Sequence, residues 1–185
     1  MRRGLLLDRD GVVNVDRGYV GTIEQFEFTP GLFPFLRAAT DHGYRLAILT
    51  NQSGVARGLY REDDFHALTA WMLDQLQKQG LSINLMLGCC EHPEGSVLPY
   101  ARESFWRKPS PGMVLEAVQR LHLDPVNSAF LGDQPRDMEA ARLGGIGHQL
   151  LLNASAELGE GVIRVHNFDE ALKSLIRPVG IPLDN

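Results

Sequence analysis

The feature that most limits how this chain can fold is a repeated alternation of short apolar runs with segments of helical period. The runs are GLLLD (residues 4–8), RLAIL (45–49), INLMLG (83–88), SAFLG (128–132) and HQLLL (148–152), with a weaker one at VIRV (162–165). Each reads as a strand covered on both faces. Between them, PGLFPFLRAATDHG opens with a proline suited to a first helical turn and closes on Gly43, while REDDFHALTAWMLDQLQKQG carries acids at its start and ends at Gly80. SPGMVLEAVQRLHL and PRDMEAARLGG follow the same logic, apolar at three- and four-residue spacing. The alternation predicts an α/β fold of three layers around a mostly parallel sheet. In such sheets, ligands bind just beyond the carboxyl ends of the strands.

With 185 residues and 44% hydrophobic content, the chain is expected to form one domain over residues 1–185, without internal repeat, low-complexity tract or linker. A net charge of -5 with no basic runs argues against a nucleic-acid partner. The apolar run after Met1-Arg2-Arg3 is only Leu5 to Leu7, so no signal peptide is expected, and no stretch is long enough to span a bilayer. Cys89 and Cys90, the two cysteines, are adjacent, which argues against a disulfide framework and for a cytoplasmic home. A monomer is expected, and the C-terminal RPVGIPLDN reads as a surface tail.

The strand rule directs attention to four polar clusters: DRDGVVN after the first run, TNQSGVARG after the second, RKPSPG before the third helical segment and GDQPRD after the fourth run. Asp8 and Asp10 lie two apart at a strand end, where extended geometry sends both side chains one way and Arg9 another. One carboxylate then suits a nucleophile or metal ligand, the other a general acid and base. The same residues also fit a strand ending in a capped turn at Gly11. Thr50 and Asn51 offer hydrogen bonds to an anion, and Ser53 and Gly54 suit either that role or a helix cap. Lys108, stiffened by Pro109, can neutralise charge on a phosphoryl group or be a solvated surface lysine. Asp133 completes an oxygen set for a hard cation such as Mg2+. Asp137, four residues on, suits both a helix cap and support behind the metal ligands.

DRDGV, TNQSG, RKP and GDQPRD, in this order after successive strands, resemble the four motifs of the haloacid dehalogenase (HAD) superfamily of phosphatases. The resemblance runs from Leu5 to about Gly145 and implies a Rossmann-like fold. It also implies that Asp8 attacks phosphorus to form an aspartyl-phosphate and that Asp10 protonates the leaving oxygen and then activates water. Thr50 and Lys108 would hold the phosphoryl oxygens, with Mg2+ bound by Asp8, the backbone carbonyl of Asp10, and Asp133. Within that superfamily, DRDGVVNVDRGYV, TNQSGVARG and RKPSPGM are similar to the D-glycero-D-manno-heptose 1,7-bisphosphate phosphatases of lipopolysaccharide precursor synthesis. That similarity implies a small phosphorylated sugar as substrate, contacted by Asp16, Arg17, Gly18 and Tyr19, by Thr50, Asn51, Gln52 and Ser53, and by Arg107 and Lys108. Histidinol-phosphate phosphatases are the near alternative, and a phosphosugar-binding protein without catalysis the non-enzyme one. The spacings from Gly11 to Thr50 and from Thr50 to Lys108 leave no room for a cap domain, so residues 89–107 are expected to form the lid.

In relatives this loop binds zinc through a C-x-H and a C-x-C pair. The corresponding positions here are Cys89 and Glu91, then Ser104 and Trp106, so only Cys89 matches and no zinc is expected. Leu98, Tyr100, Phe105 and Trp106 are expected to fill the loop with apolar contacts instead.

Overall fold

The computed structural model describes residues 1–153, 155 and 157–176; the segment read as a surface tail, 177–185, lies outside the described residues. Six strands form one sheet: β1 (Gly4–Leu7), β2 (Arg45–Asn51), β3 (Leu85–Cys89), β4 (Ala129–Gly132), β5 (His148–Leu152) and β6 (Val162–Val165). Their order is β3-β2-β1-β4-β5-β6, and every neighbouring pair is parallel. The connections are α1 (Leu32–Asp41), α2 (Ser53–Ala56), α3 (Glu62–Lys78), α4 (Gly112–Leu121), α5 (Pro135–Leu143) and α6 (Phe168–Ile176).

The strands are apolar on consecutive positions because both faces are covered. Leu5, Leu7, Leu46, Ile48, Leu131 and Leu150 point into a core shared with Leu36 of α1, Met72 of α3 and Ala171 of α6. Leu6, Ala47, Leu49 and Phe130 point the other way, onto Met113 and Val114 of α4 and Ala140 and Ala141 of α5. The result is the three-layer α/β arrangement read from the alternation. α3 begins with Glu62, Asp63 and Asp64, and Asp64 accepts the Arg61 backbone N–H at 2.8 Å, closing its first turn.

The elements depart from the sequence reading at several points. β3 starts at Leu85 rather than 83, because Asn84 is spent on Leu46: its N–H donates to the Leu46 carbonyl and its Oδ1 accepts the Leu46 N–H. A single helical turn, α2, follows β2 directly. α6 was not anticipated, although Phe168, Ala171 and Leu175 carry its buried stripe.

The chain steps outward from β1 through β2 to β3 and then returns to the other side of β1 with β4. Strand order therefore reverses between β1 and β4, the place where an open parallel sheet leaves a crevice at its carboxyl edge. Asp8 follows β1 and Asp133 follows β4. The segments 11–44 and 52–84 hold only a short 3-10 turn (Ile23–Gln25) and helices α1 to α3 among the described residues, so no inserted domain covers that edge.

Candidate active site

Lys108 occupies the centre of the crevice with only 1% of its surface exposed. Its Nζ lies 2.8 Å from Asp8 Oδ1 and 2.7 Å from Asp137 Oδ1, and it donates to the Leu49 carbonyl at 2.8 Å. Three acceptors match the three protons of an ammonium. Its backbone is gripped by one side chain: the Lys108 N–H donates to Asn51 Oδ1 at 3.0 Å, and Asn51 Nδ2 donates to the Lys108 carbonyl at 2.9 Å. The Asn51 amide, read from sequence as a donor to a bound anion, is thus committed to holding Lys108. Asp8 Oδ1 also accepts the Arg9 backbone N–H at 2.7 Å, which leaves Oδ2 as the oxygen without these contacts.

Asp137 caps α5, one of the two roles read for it, and also faces the ammonium. Its Oδ2 accepts the Gln134 backbone N–H at 3.0 Å, capping α5, while its Oδ1 faces Lys108. Asp133 stands beside it, and Gln134 Nε2 donates to its Oδ2 at 3.0 Å. Burial pushes the Asp8 carboxyl up to about 7; Asp137 adds to the rise and Lys108 opposes it. Burial likewise lifts Asp133 to about 6, against the Gln134 hydrogen bond and with help from Asp137 and Asp16. For Lys108, burial disfavours the charge, but Asp137 and Asp8 outweigh it and raise the pKa above its ordinary value.

The expected divergence of Arg9 from Asp10 is not what the fold produces. β1 ends at Leu7 and the chain turns through Asp8, Arg9 and Asp10 into Gly11 at φ 84°, so strand alternation no longer applies. Arg9 folds back, 1% exposed, and its Nη2 donates to Asp10 Oδ1 at 2.8 Å, to Asp10 Oδ2 at 3.0 Å and to the Val20 carbonyl at 2.8 Å. Asn14 Nδ2 donates to Asp10 Oδ1 at 3.0 Å and Gln52 Nε2 to Asp10 Oδ2 at 2.9 Å. Gln52 Nε2 also donates to Thr50 Oγ1 at 2.7 Å, and Gln52 Oε1 accepts from the Tyr60 hydroxyl at 2.5 Å. Asn14 and Tyr60 join this cluster without having been named in the sequence reading. Ser53 opens α2 without making a side-chain cap.

Of the outer residues, Asp16 Oδ1 accepts the Gly18 N–H at 2.8 Å on an exposed turn where Gly18 and Tyr19 have positive φ, and Arg17 of that turn pairs with Glu27. Asp16 is close enough to act electrostatically on Asp133, and Tyr19 on Tyr60. The turn therefore spans the same edge as the buried cluster. Arg107, half-buried, donates from Nη1 to the Glu91 carbonyl at 3.4 Å.

Loop 89–107 is not packed as expected. Leu98 is 89% exposed, Phe105 59% and Trp106 42%; of the four residues named, Tyr100 packs inward, against Val55, Phe65 and Cys90. Polar links hold the loop instead. Arg102 pairs with Glu91 Oε1 at 2.9 Å, the Cys89 thiol lies 3.2 Å from Glu91 Oε2, and the Tyr100 hydroxyl donates to Glu62 at 2.7 Å. The N–H groups of Ser96 and Val97 both donate to the Ala56 carbonyl. Cys90 packs in the small apolar cluster, and His92 Nδ1 accepts the Glu94 N–H.

Asp8, Asp133 and Asp137 place carboxylate oxygens within 4.8 Å of one another. Three carboxylates against one ammonium leave an excess of negative charge, and Asp133 Oδ1 is buried with no hydrogen-bond partner. Gly11 makes the approach possible, since a Cβ there would lie 2.3 Å from Asp133 Oδ2. An all-oxygen, doubly negative seat with an unspent acceptor fits a hard divalent cation such as Mg2+.

Residues 105–160 match the family model described as HAD-hydrolase-like. The chain is 41% identical over 148 residues to the D-glycero-beta-D-manno-heptose-1,7-bisphosphate 7-phosphatase of Yersinia pestis, covering 80% of this chain and 79% of that one. It is 43% identical over 150 residues to the D-glycero-alpha-D-manno-heptose-1,7-bisphosphate 7-phosphatase of Burkholderia mallei, covering 81% and 79%. Among solved structures, the D,D-heptose 1,7-bisphosphate phosphatase of B. bronchiseptica complexed with magnesium and phosphate superimposes with a TM-score of 0.81 at 26% identity, over 94% of this chain and 98% of that one. With the fold, the ordered motifs and this similarity in agreement, the chain belongs to the heptose-1,7-bisphosphate 7-phosphatase family of HAD-like hydrolases and is a phosphatase.

Proposed function

We propose that the protein removes the 7-phosphate of D-glycero-D-manno-heptose 1,7-bisphosphate, in the supply of heptose for lipopolysaccharide precursors. The observation that carries the chemistry is the buried Asp8–Lys108–Asp137 group at the switch point, next to the unspent oxygen of Asp133. Asp8 is the nucleophile. Lys108 and the Arg9 N–H both hold Oδ1, so Oδ2 is the oxygen presented to phosphorus. Asp8, Asp133 and the backbone carbonyl of Asp10 would hold Mg2+, with Asp137 behind them; when bound, the ion offsets the negative charge of the phosphoryl oxygens.

Thr50 and Lys108 stabilise the transferring group, and Asp10 gives a proton to the sugar oxygen as it leaves. Asp10 then takes a proton from the water that opens the aspartyl-phosphate, so one carboxylate serves both halves of the reaction. Asn51 acts by holding Lys108, and Gln52 by holding Thr50 and Asp10, rather than by contact through their own amides. Residues 16–19, Ser53 and Arg107 form the rim that meets the sugar. The chain works as one domain in which loop 89–107 stands where other HAD enzymes carry a cap, with no structural zinc.

The deciding experiment compares kcat/KM for the two anomers of heptose 1,7-bisphosphate and for histidinol phosphate. One heptose anomer is expected to lead by at least about tenfold. Preference for histidinol phosphate would overturn the substrate assignment. The Asp8→Asn variant is expected to lose essentially all turnover, and retained activity would overturn the nucleophile assignment.

A further inference from the structure

We propose that Tyr60 is a positioning residue that, through Gln52, turns the Thr50 hydroxyl into an obligate donor toward the phosphoryl group and locks the Asp10 carboxylate beside it. The inference rests on the reading of Thr50 and Asp10 as phosphoryl-facing groups.

A carboxamide has one acceptor and two donor hydrogens. Because Tyr60 donates to Gln52 Oε1 at 2.5 Å, Gln52 Nε2 is aimed the opposite way. Its two hydrogens go to Asp10 Oδ2 at 2.9 Å and Thr50 Oγ1 at 2.7 Å. The flipped amide would set its carbonyl oxygen against the Asp10 carboxylate. Thr50 Oγ1, having accepted from Gln52, keeps its own hydrogen to give. Thr50 and Gln52 are both buried, so water does not compete for these groups. Polarity therefore runs one way, from Tyr60 to Gln52 to Thr50, and ends at the site.

The ring of Tyr60 is seated to do this. A Cβ at Gly54 would lie 2.2 Å from its Cε1 and a Cβ at Gly21 2.4 Å from its Cδ1, so two glycine backbones form the slot that holds the phenol against Gln52. Burial raises the phenol's pKa, against the nearby Arg9, and keeps the hydroxyl protonated and able to donate.

Tyr60→Phe keeps the ring in its slot and removes only the hydroxyl. It is expected to lower kcat about fivefold on both the heptose bisphosphate and p-nitrophenyl phosphate, with KM within about twofold and an unchanged melting temperature. Its affinity for orthovanadate, measured by calorimetry with Mg2+ present, is expected to fall by a similar factor. In a Gln52→Ala background, Tyr60→Phe is expected to add nothing. An unchanged kcat and vanadate affinity, or a Tyr60→Phe effect that persists in full without Gln52, would overturn the proposal. Failure of the heptose assignment leaves the p-nitrophenyl phosphate and vanadate readouts standing, so the two outcomes are separable.

Discussion

Lys108 is one buried cation set against three carboxylates, and its removal is expected to be felt in both stability and turnover. Lys108→Ala leaves Asp8 and Asp137 facing each other without a counter-charge, a loss of about 3–5 kcal/mol in urea unfolding alongside loss of activity. A destabilisation under about 1 kcal/mol would mean that the ammonium does not neutralise the pair. Gly11→Ala replaces none of the proposed ligand residues, yet it demands an unfavourable φ and drives a methyl into the Asp133 carboxylate. Mg2+ titration of activity is expected to show about tenfold weaker activation, with much of kcat recovered at saturating Mg2+. Asp8 and Asp133 were legible because each follows the end of a strand, and Lys108 because it stands before a proline at the entry to a helix. Arg9 was misread because alternation was extended past the strand's end at Leu7 as far as Asp10. Tyr60 gave no signal at all, since its partners are Gln52 and two glycine backbones, one of them at position 21, and no periodicity records such a meeting.

Loop 89–107 shows how a cluster of apolar letters can mislead. Phe105 and Trp106 read as a filling, but both remain exposed. What secures the loop is a set of distant partners, such as Glu62 for Tyr100 and Ala56 for Ser96 and Val97, which local sequence cannot reveal. Trp106→Ala is accordingly expected to leave the rate of proteolytic cutting in the loop unchanged. Glu91→Gln is expected to speed cutting, because it weakens the pair with Arg102 and the contact with the Cys89 thiol. Since Arg107 rests on the Glu91 carbonyl, KM for the bisphosphate is expected to rise about threefold with kcat held. Equal cutting rates for Glu91→Gln and the parent protein would show that the ion pair does not close the loop. Helix α6 escaped notice for a simpler reason: its stripe is three residues in a short segment, next to the weakest strand.

The α/β class and sheet were readable because buried parallel strands and amphipathic helices leave different periods, and those periods survive in a single sequence. The relation between β1 and β4 was not, since strand order depends on crossovers rather than on composition. That relation brings Asp8 and Asp133 to one edge of the sheet, where burial raises the pKa of both. Asp8 and Asp133 have raised pKa values, so without metal the folded state holds protons that the unfolded chain releases near pH 4. The contribution of these two groups to the stability of the metal-free protein is therefore expected to fall as pH rises from about 4 to about 7. Mg2+ at the proposed seat is expected to compete with those protons and, at a hundredfold excess over its Kd, to stabilise by about 2.7 kcal/mol. The gain in melting temperature on adding Mg2+ is expected to be larger at pH 7.5 than at pH 5; equal gains would contradict the linkage. There is a consequence for assembly as well. Asp8, the proposed nucleophile, and the Lys108 ammonium precede β4 in the chain, while Asp133 and Asp137 follow it. A fragment ending before Ala129 would lack one of the cation's proposed carboxylate ligands and one of the ammonium's counter-ions, so the cation seat exists only after the two halves of the sheet have closed. Mg2+ binding thus reports a completed fold, and it is expected to slow amide exchange across β1 and β4 together rather than in the loop alone.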